Sequence, residues 1–135
     1  MRDYNAALRA AREKAGISRK KLAELIGRSP ECIFQHERSG NAPRLSYCIM
    51  VADALHISID ELLGREHKKV WAWVTPREWR NAYELSYGRL AEMAGVSRPT
   101  IIDLENGTDP YICTVEAIAD ALNLGIDEYM KHEVE

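Results

Sequence analysis

Eleven residues from Ala52 read "ADALHISIDEL", and eleven from Ala119 read "ADALNLGIDEY". A phrase repeated at that distance constrains the fold more than any other feature of the chain, because a true duplication has to keep its spacing elsewhere. It does. "KKLAELIGRS" at Lys20 matches "GRLAEMAGVS" at Gly88, an offset of 68. At the same offset Arg12 meets Arg80, Gly27 meets Gly95, Ser29 meets Ser97, Ile33 meets Ile101 and Glu37 meets Glu105. Beyond the glutamates the offset becomes 67, so that Pro43 meets Pro110 and Asp60-Glu61 meets Asp127-Glu128. One single-residue loop deletion accounts for the whole register. The chain therefore reads as two copies of one unit of about 60 residues, with a first domain at 1–65, a linker at 66–75 and a second domain at 76–135.

Each copy reads as five short helices. In the first, Asp3 caps a helix running to about Ala15 and ended by Gly16. Ser18 caps a second, with Leu22, Leu25 and Ile26 on its apolar face, and Gly27 breaks it. Ser29 caps a third with Pro30 at its first position, and Gly40 ends it. Pro43 opens a fourth, and Ser58 caps a fifth that stops at Gly64. In the second copy the starts fall at Thr75, Ser86, Ser97, Pro110 and Gly125. "TPRE" from Thr75 is a capping box with proline at its first helical position. No hairpin signal appears, so the expected class is all-α.

Charge and cysteine usage narrow the partners. The 135 residues carry a net charge of −3, but the sign is divided. Residues 1–67 hold 11 Lys+Arg and 9 Asp+Glu, hence +2, and residues 68–135 hold 7 and 12, hence −5. The first half is the better suited to phosphates. Cys32, Cys48 and Cys113 are an odd number without paired spacing, which argues against a disulfide framework and a zinc site and suits core thiols in a reducing cytoplasm. Nothing resembles a signal peptide, and no apolar run approaches the roughly 20 residues of a membrane helix. No nucleophile with a base partner, no phosphate-binding glycine loop and no metal-ligand spacing is present. The expectation is a protein that is not an enzyme and has neither cofactor nor metal. His56, His67 and His132 lack metal-ligand company, and His36 stands where the second copy has Leu104, as a core histidine.

The segments "RKKLAELIGRSPECIFQHER" from Arg19 and "YGRLAEMAGVSRPTIIDLEN" from Tyr87 carry the strongest pattern. A small residue stands where two helices would cross (Ala23, Ala91). A glycine stands in the turn (Gly27, Gly95), where positive φ is needed. Apolar residues lock the pair onto the body (Leu22, Ile26 and Ile33; Leu90, Ala94, Val96, Ile101 and Leu104). On these residues the chain resembles the phage-repressor-like helix-turn-helix family, of the Cro/cI or XRE type, in two tandem copies covering nearly the whole length.

The resemblance implies tandem five-helix, lambda-repressor-like domains joined by a short Trp-containing linker. It implies a sequence-specific double-stranded DNA-binding transcriptional regulator, prokaryotic or phage, that represses by occluding a promoter. The third helix would enter the major groove while the second crosses the backbone. In the first copy Arg19, Lys20, Arg38 and Arg44 would face phosphates. Pro30, Glu31, Phe34 and Gln35 would face bases, Gln35 suiting adenine and Glu31 cytosine, while Phe34, like Ile102 at the equivalent place, either touches a thymine methyl or packs against protein. In the second, Tyr87 and Arg89 would serve the backbone, and Arg98, Pro99, Thr100, Ile102 and Asp103 would lie on the reading face, Arg98 suiting guanine. Arg12 with Glu37, and Arg80 with Glu105, would form a structural ion pair in each copy. Asp103 and Asp109 fit DNA poorly. The alternative is therefore an interaction module, an antitoxin or inhibitor, whose acidic second domain binds protein.

The linker "REHKKVWAWVTP" alternates Val70, Ala72 and Val74 with Trp71 and Trp73, a strand-like pattern or a strap. With Trp79 these tryptophans either fill a seam between the domains or form a homodimer surface. The chain is expected to work as a homodimer or as an intramolecular pseudo-dimer.

Overall fold

The computed structural model describes residues 3–66 and 72–134. Their regular structure is helical, with no strand among them. The described residues fall into two compact units, 3–66 together with Val134, and 72–133.

Unit 1 holds α1 (Tyr4–Lys14), α2 (Arg19–Ile26), α3 (Pro30–Arg38), α4 (Leu45–Leu55) and α5 (Ile59–Leu62). Four of the five starts carry a side-chain cap. Asp3 accepts from the Ala6 N–H, Ser18 from Lys21, Ser29 from Cys32 and Ser58 from Glu61. Each satisfies one of the amides that a helix start leaves without a partner. Leu8, Leu22, Ile33, Val51, Ile59 and Leu62 close the core. Removing one such side chain costs about 2–5 kcal/mol. Leu25, expected on the same face as Leu22, is half exposed instead.

Unit 2 repeats the order as α6 (Pro76–Ala82), α7 (Tyr87–Ala94), α8 (Arg98–Glu105), α9 (Ile112–Ala121) and α10 (Ile126–Met130). Thr75 and Glu78 complete the reciprocal capping box at the start of α6. The Thr75 hydroxyl and amide hold the Glu78 carboxyl below its ordinary range. Leu90, Ile101, Ile112, Ile118, Ile126 and Tyr129 form the centre of this core.

Three expectations are corrected. Pro43 and Pro110 do not open the fourth helix of each unit. Arg44 and Tyr111 intervene with extended backbone, and their carbonyls accept the first helical bonds, from Cys48 and Val115. Gly40 does not end α3, because Ser39 already stops it in an extended conformation and its hydroxyl accepts from the Asn41 N–H. Trp79 does not stand on an outer surface. It is 8% exposed within unit 2, and its indole N–H donates to the Glu128 carbonyl at 3.4 Å. The Glu128 carboxylate in turn accepts the Ala72 N–H. Trp73 is exposed. His67, Val70 and Trp71 lie outside the described residues.

The repeated "IDE" phrase has a structural use. Asp60 accepts from Arg65 Nε at 2.8 Å, and Asp127 lies 2.6 Å from His132 Nδ1, at equivalent positions of the two units. In both, the backbone N–H of the later residue donates to the aspartate's own carbonyl, which ties down the end of the last helix.

Candidate nucleic-acid interface

The turn between α2 and α3 is set by Gly27, at φ 71° and ψ 32°, and that between α7 and α8 by Gly95, at φ 72° and ψ 31°. Left-handed backbone of this kind favours glycine. Ala23 and Ala91 are buried where the helices cross. Each pair thus becomes a bent support that presents one face of α3 or α8 outward.

A buried ion pair locks that support from behind. In unit 1, Arg12 Nε donates to Glu37 Oε1 at 2.6 Å, and its Nη1 donates to the Ile17 carbonyl at 2.9 Å. In unit 2, Arg80 Nε donates to Glu105 Oε2 at 2.7 Å, and its Nη1 donates to the Leu85 carbonyl at 3.1 Å. The side chains are 8% and 5% exposed in the first pair, and 11% and 0% in the second. The hydrogen bond from Arg80 to Glu105 raises the arginine's pKa. Burial works to raise the Glu37 carboxyl, but hydrogen bonds from Arg12 and Arg19 outweigh it and hold the group below its ordinary range.

The second cation on each glutamate differs. Arg19, expected to face phosphate, donates from Nε to Glu37 Oε2 at 2.7 Å. Its place in unit 2 belongs to Tyr87, whose ring stacks under the Arg80 guanidinium at 4.1 Å. There the second cation is Arg77, which donates to Glu105 at 3.4 Å and to Asn106 at 3.3 Å. The reading of the sequence missed Arg77, although its recurrence at the place of Arg9 was available as a signal.

The outward face of α3 is only partly the one expected. Glu31 and Gln35 are exposed, and the Gln35 amide donates to the Glu31 carboxylate at 2.7 Å, one turn apart. Phe34 does not stand free. Its half-buried ring lies between the guanidiniums of Arg19, 5.2 Å from the centroid, and Arg38, 5.1 Å away. Cation–π attraction explains why it turns aside. Arg9, Arg19, Phe34, Glu37 and Arg38 line a cleft of about 210 Å³. Lys20, Arg38 and Arg44 are exposed, as is Pro30 at the start of α3. Asn5 fastens the loop after α3 to α1, donating from Nδ2 to the Ser39 and Asn41 carbonyls at 2.7 Å each. His36 stacks on Tyr47 with centroids 3.8 Å apart, and its Nδ1 lies 2.9 Å from the Cys32 carbonyl.

On unit 2, Arg98, Pro99, Ile102 and Asp103 are exposed. Thr100 is half-buried, and its hydroxyl meets that of Ser97 at 2.7 Å, so it serves the cap of α8. Arg89 is exposed and lies 3.6 Å from Glu92. Asp109 is exposed in the loop that follows α8.

Two bent helix pairs, each with a capped and outward-facing second helix, define a protein of the nucleic-acid-reading class. A helix-turn-helix family model matches residues 8–62 and again residues 77–129. The chain belongs to the helix-turn-helix family of the XRE/Cro/cI type, with two tandem copies of its domain. Membership makes it a DNA-binding transcription regulator of that type. No curated protein and no solved structure matches the chain. Among the described residues no group of His, Cys, Asp or Glu is arranged to hold a metal ion, and no helix is long and apolar enough to cross a membrane.

Proposed function

We propose that the chain is a sequence-specific repressor that acts by occluding a promoter, with unit 1 as its principal reader. The observation that carries this reading is the Glu31–Gln35 pair on the exposed face of α3, in a unit whose Lys20, Arg38 and Arg44 are also exposed. A glutamine already aligned by its neighbour presents donor and acceptor together, the pattern that adenine matches in the major groove. The exposed cations meet phosphates and set the register. Arg19 and Phe34 act indirectly here, as the packed base on which Arg38 rests. One chain carries two recognition helices, the number that a dimer brings to two half-sites.

A second reading is favoured by one feature of unit 2. Its recognition face exposes Ile102 (36%) beside Asp103, and residues 68–135 sum to −5. An apolar residue beside a carboxylate suits a protein partner better than a phosphate backbone.

Selection of a randomised duplex library, followed by titration of the enriched site at several salt concentrations, separates the two readings. A repressor enriches a motif and loses affinity steeply as salt rises, by about 0.9 in logarithmic slope for each phosphate engaged. The half-site count of the motif distinguishes one chain from a pair. An interaction module enriches nothing.

A further inference from the structure

The two units carry a cation at the start of different helices of the motif. Lys20 is the second residue of α2 and is exposed. At the offset of 68 its counterpart is Gly88, the second residue of α7. Pro30, first residue of α3, has Arg98 as its counterpart, first residue of α8. Thus unit 1 pairs lysine on the second helix with proline on the third, and unit 2 pairs glycine with arginine.

The geometry shows why the exchange is coupled. A Cβ built on Gly88 would stand 2.7 Å from Arg98 Nη2, 2.8 Å from Nε and 3.0 Å from Cζ. The guanidinium of Arg98 therefore lies on the first turn of α7, over the bare glycine backbone. A lysine at position 88 and this arginine conformation exclude one another. Among the described residues Arg98 has no hydrogen bond or ion pair, so its donors are free for a ligand.

In a helix-turn-helix the first helix of the motif crosses the DNA backbone, and the tip of the second reaches base edges. A side chain drawn back from the tip of α8 onto the start of α7 faces the backbone. We infer that Arg98 is the phosphate anchor of unit 2, standing in for Lys20, and not a reader of guanine. Gly88 is the positioning residue that lets it lie there. The inference rests on the proposed reading of the chain as a DNA-binding repressor, and it adds that unit 2 grips the same duplex.

The test is the library selection and salt titration on the full chain and its variants. Arg98→Ala is expected to leave the enriched motif unchanged, to weaken all sequences alike and to lower the salt slope by about 0.9. Arg98→Lys is expected to keep the slope, since a phosphate accepts a point charge where bidentate guanine recognition does not. Gly88→Lys placed in the Arg98→Ala background is expected to restore slope and affinity. Gly88→Ala displaces only the flexible end of Arg98, so the fold survives. It should weaken binding in the native background and add nothing to Arg98→Ala.

A motif that loses one preferred base pair in Arg98→Ala, with the slope unchanged, overturns the inference in favour of base reading. Intact binding and slope in Arg98→Ala overturn it by removing unit 2 from the duplex, and leave the repressor reading standing on unit 1. No enrichment by the native chain overturns both.

Discussion

Arg12 and Glu37 face each other across 2.6 Å, from the first and third helices of unit 1, with both side chains more than nine-tenths buried. Because Arg19 also holds this carboxylate, the two partners are not equivalent. Glu37→Ala leaves the buried guanidinium of Arg12 without a counter-charge, whereas Arg12→Ala leaves Glu37 with Arg19. Glu37→Ala is expected to cost about 3–5 kcal/mol, and Arg12→Ala less. Urea unfolding of the full chain followed by circular dichroism checks the order. Equal costs would mean that Arg19 does not share the carboxylate.

The same carboxyl sets an acid limb to stability. Its folded pKa lies below the ordinary glutamate value of 4.5. A group depressed in the folded state contributes fully above its unfolded pKa and loses that contribution as pH falls through the folded one. The stability gap between the native chain and Glu37→Gln should therefore be full at neutral pH and shrink below about pH 4.5. Urea midpoints of both proteins between pH 7 and pH 3 read it directly, and a gap that widened toward acid would contradict the pairing.

Gly27 and Gly95 carry positive φ, and an added Cβ would meet nothing within 4 Å at either site. The cost of alanine there is purely one of backbone conformation, about 1–2 kcal/mol each. Thermal unfolding of Gly27→Ala and Gly95→Ala should show similar losses. A much larger loss at one turn would point to a contact on that side.

Gln35→Ala is expected to relax the preferred base at one position of the enriched motif, by about 1–3 kcal/mol of discrimination, with little change in salt slope. Arg38→Ala is expected to do the reverse, lowering the slope by about 1 without changing the motif. Selected-library sequencing with salt titration measures both. A motif that survives Gln35→Ala intact would take base reading away from the Glu31–Gln35 pair.

The helix starts that carry a side-chain cap, the turn glycines and the duplication were legible from the residues alone. Capping depends on a side chain and an amide three positions away, so Ser18, Ser29, Ser86 and Ser97 announce α2, α3, α7 and α8 wherever they stand. The partnership of Arg12 with Glu37 was legible for another reason: two charges recurred together at one offset in two copies, which solvated charges have no cause to do. The first turns after Pro43 and Pro110 were misread because proline is compatible both with the first helical position and with the extended residue before a cap.

The sequence by itself determined two capped five-helix units and their family, since those rest on local hydrogen bonds and on periodic burial. Tertiary structure alone decided where the long side chains point. Phe34 turns in between Arg19 and Arg38, Trp79 enters the core of unit 2, and Arg98 lies back on Gly88. Each of these choices involves at least one group on a different helix: Arg19 on α2 for Phe34, Glu128 on α10 for Trp79 and Gly88 on α7 for Arg98. A side chain with several rotatable bonds has no preferred partner until the packing brings one within reach.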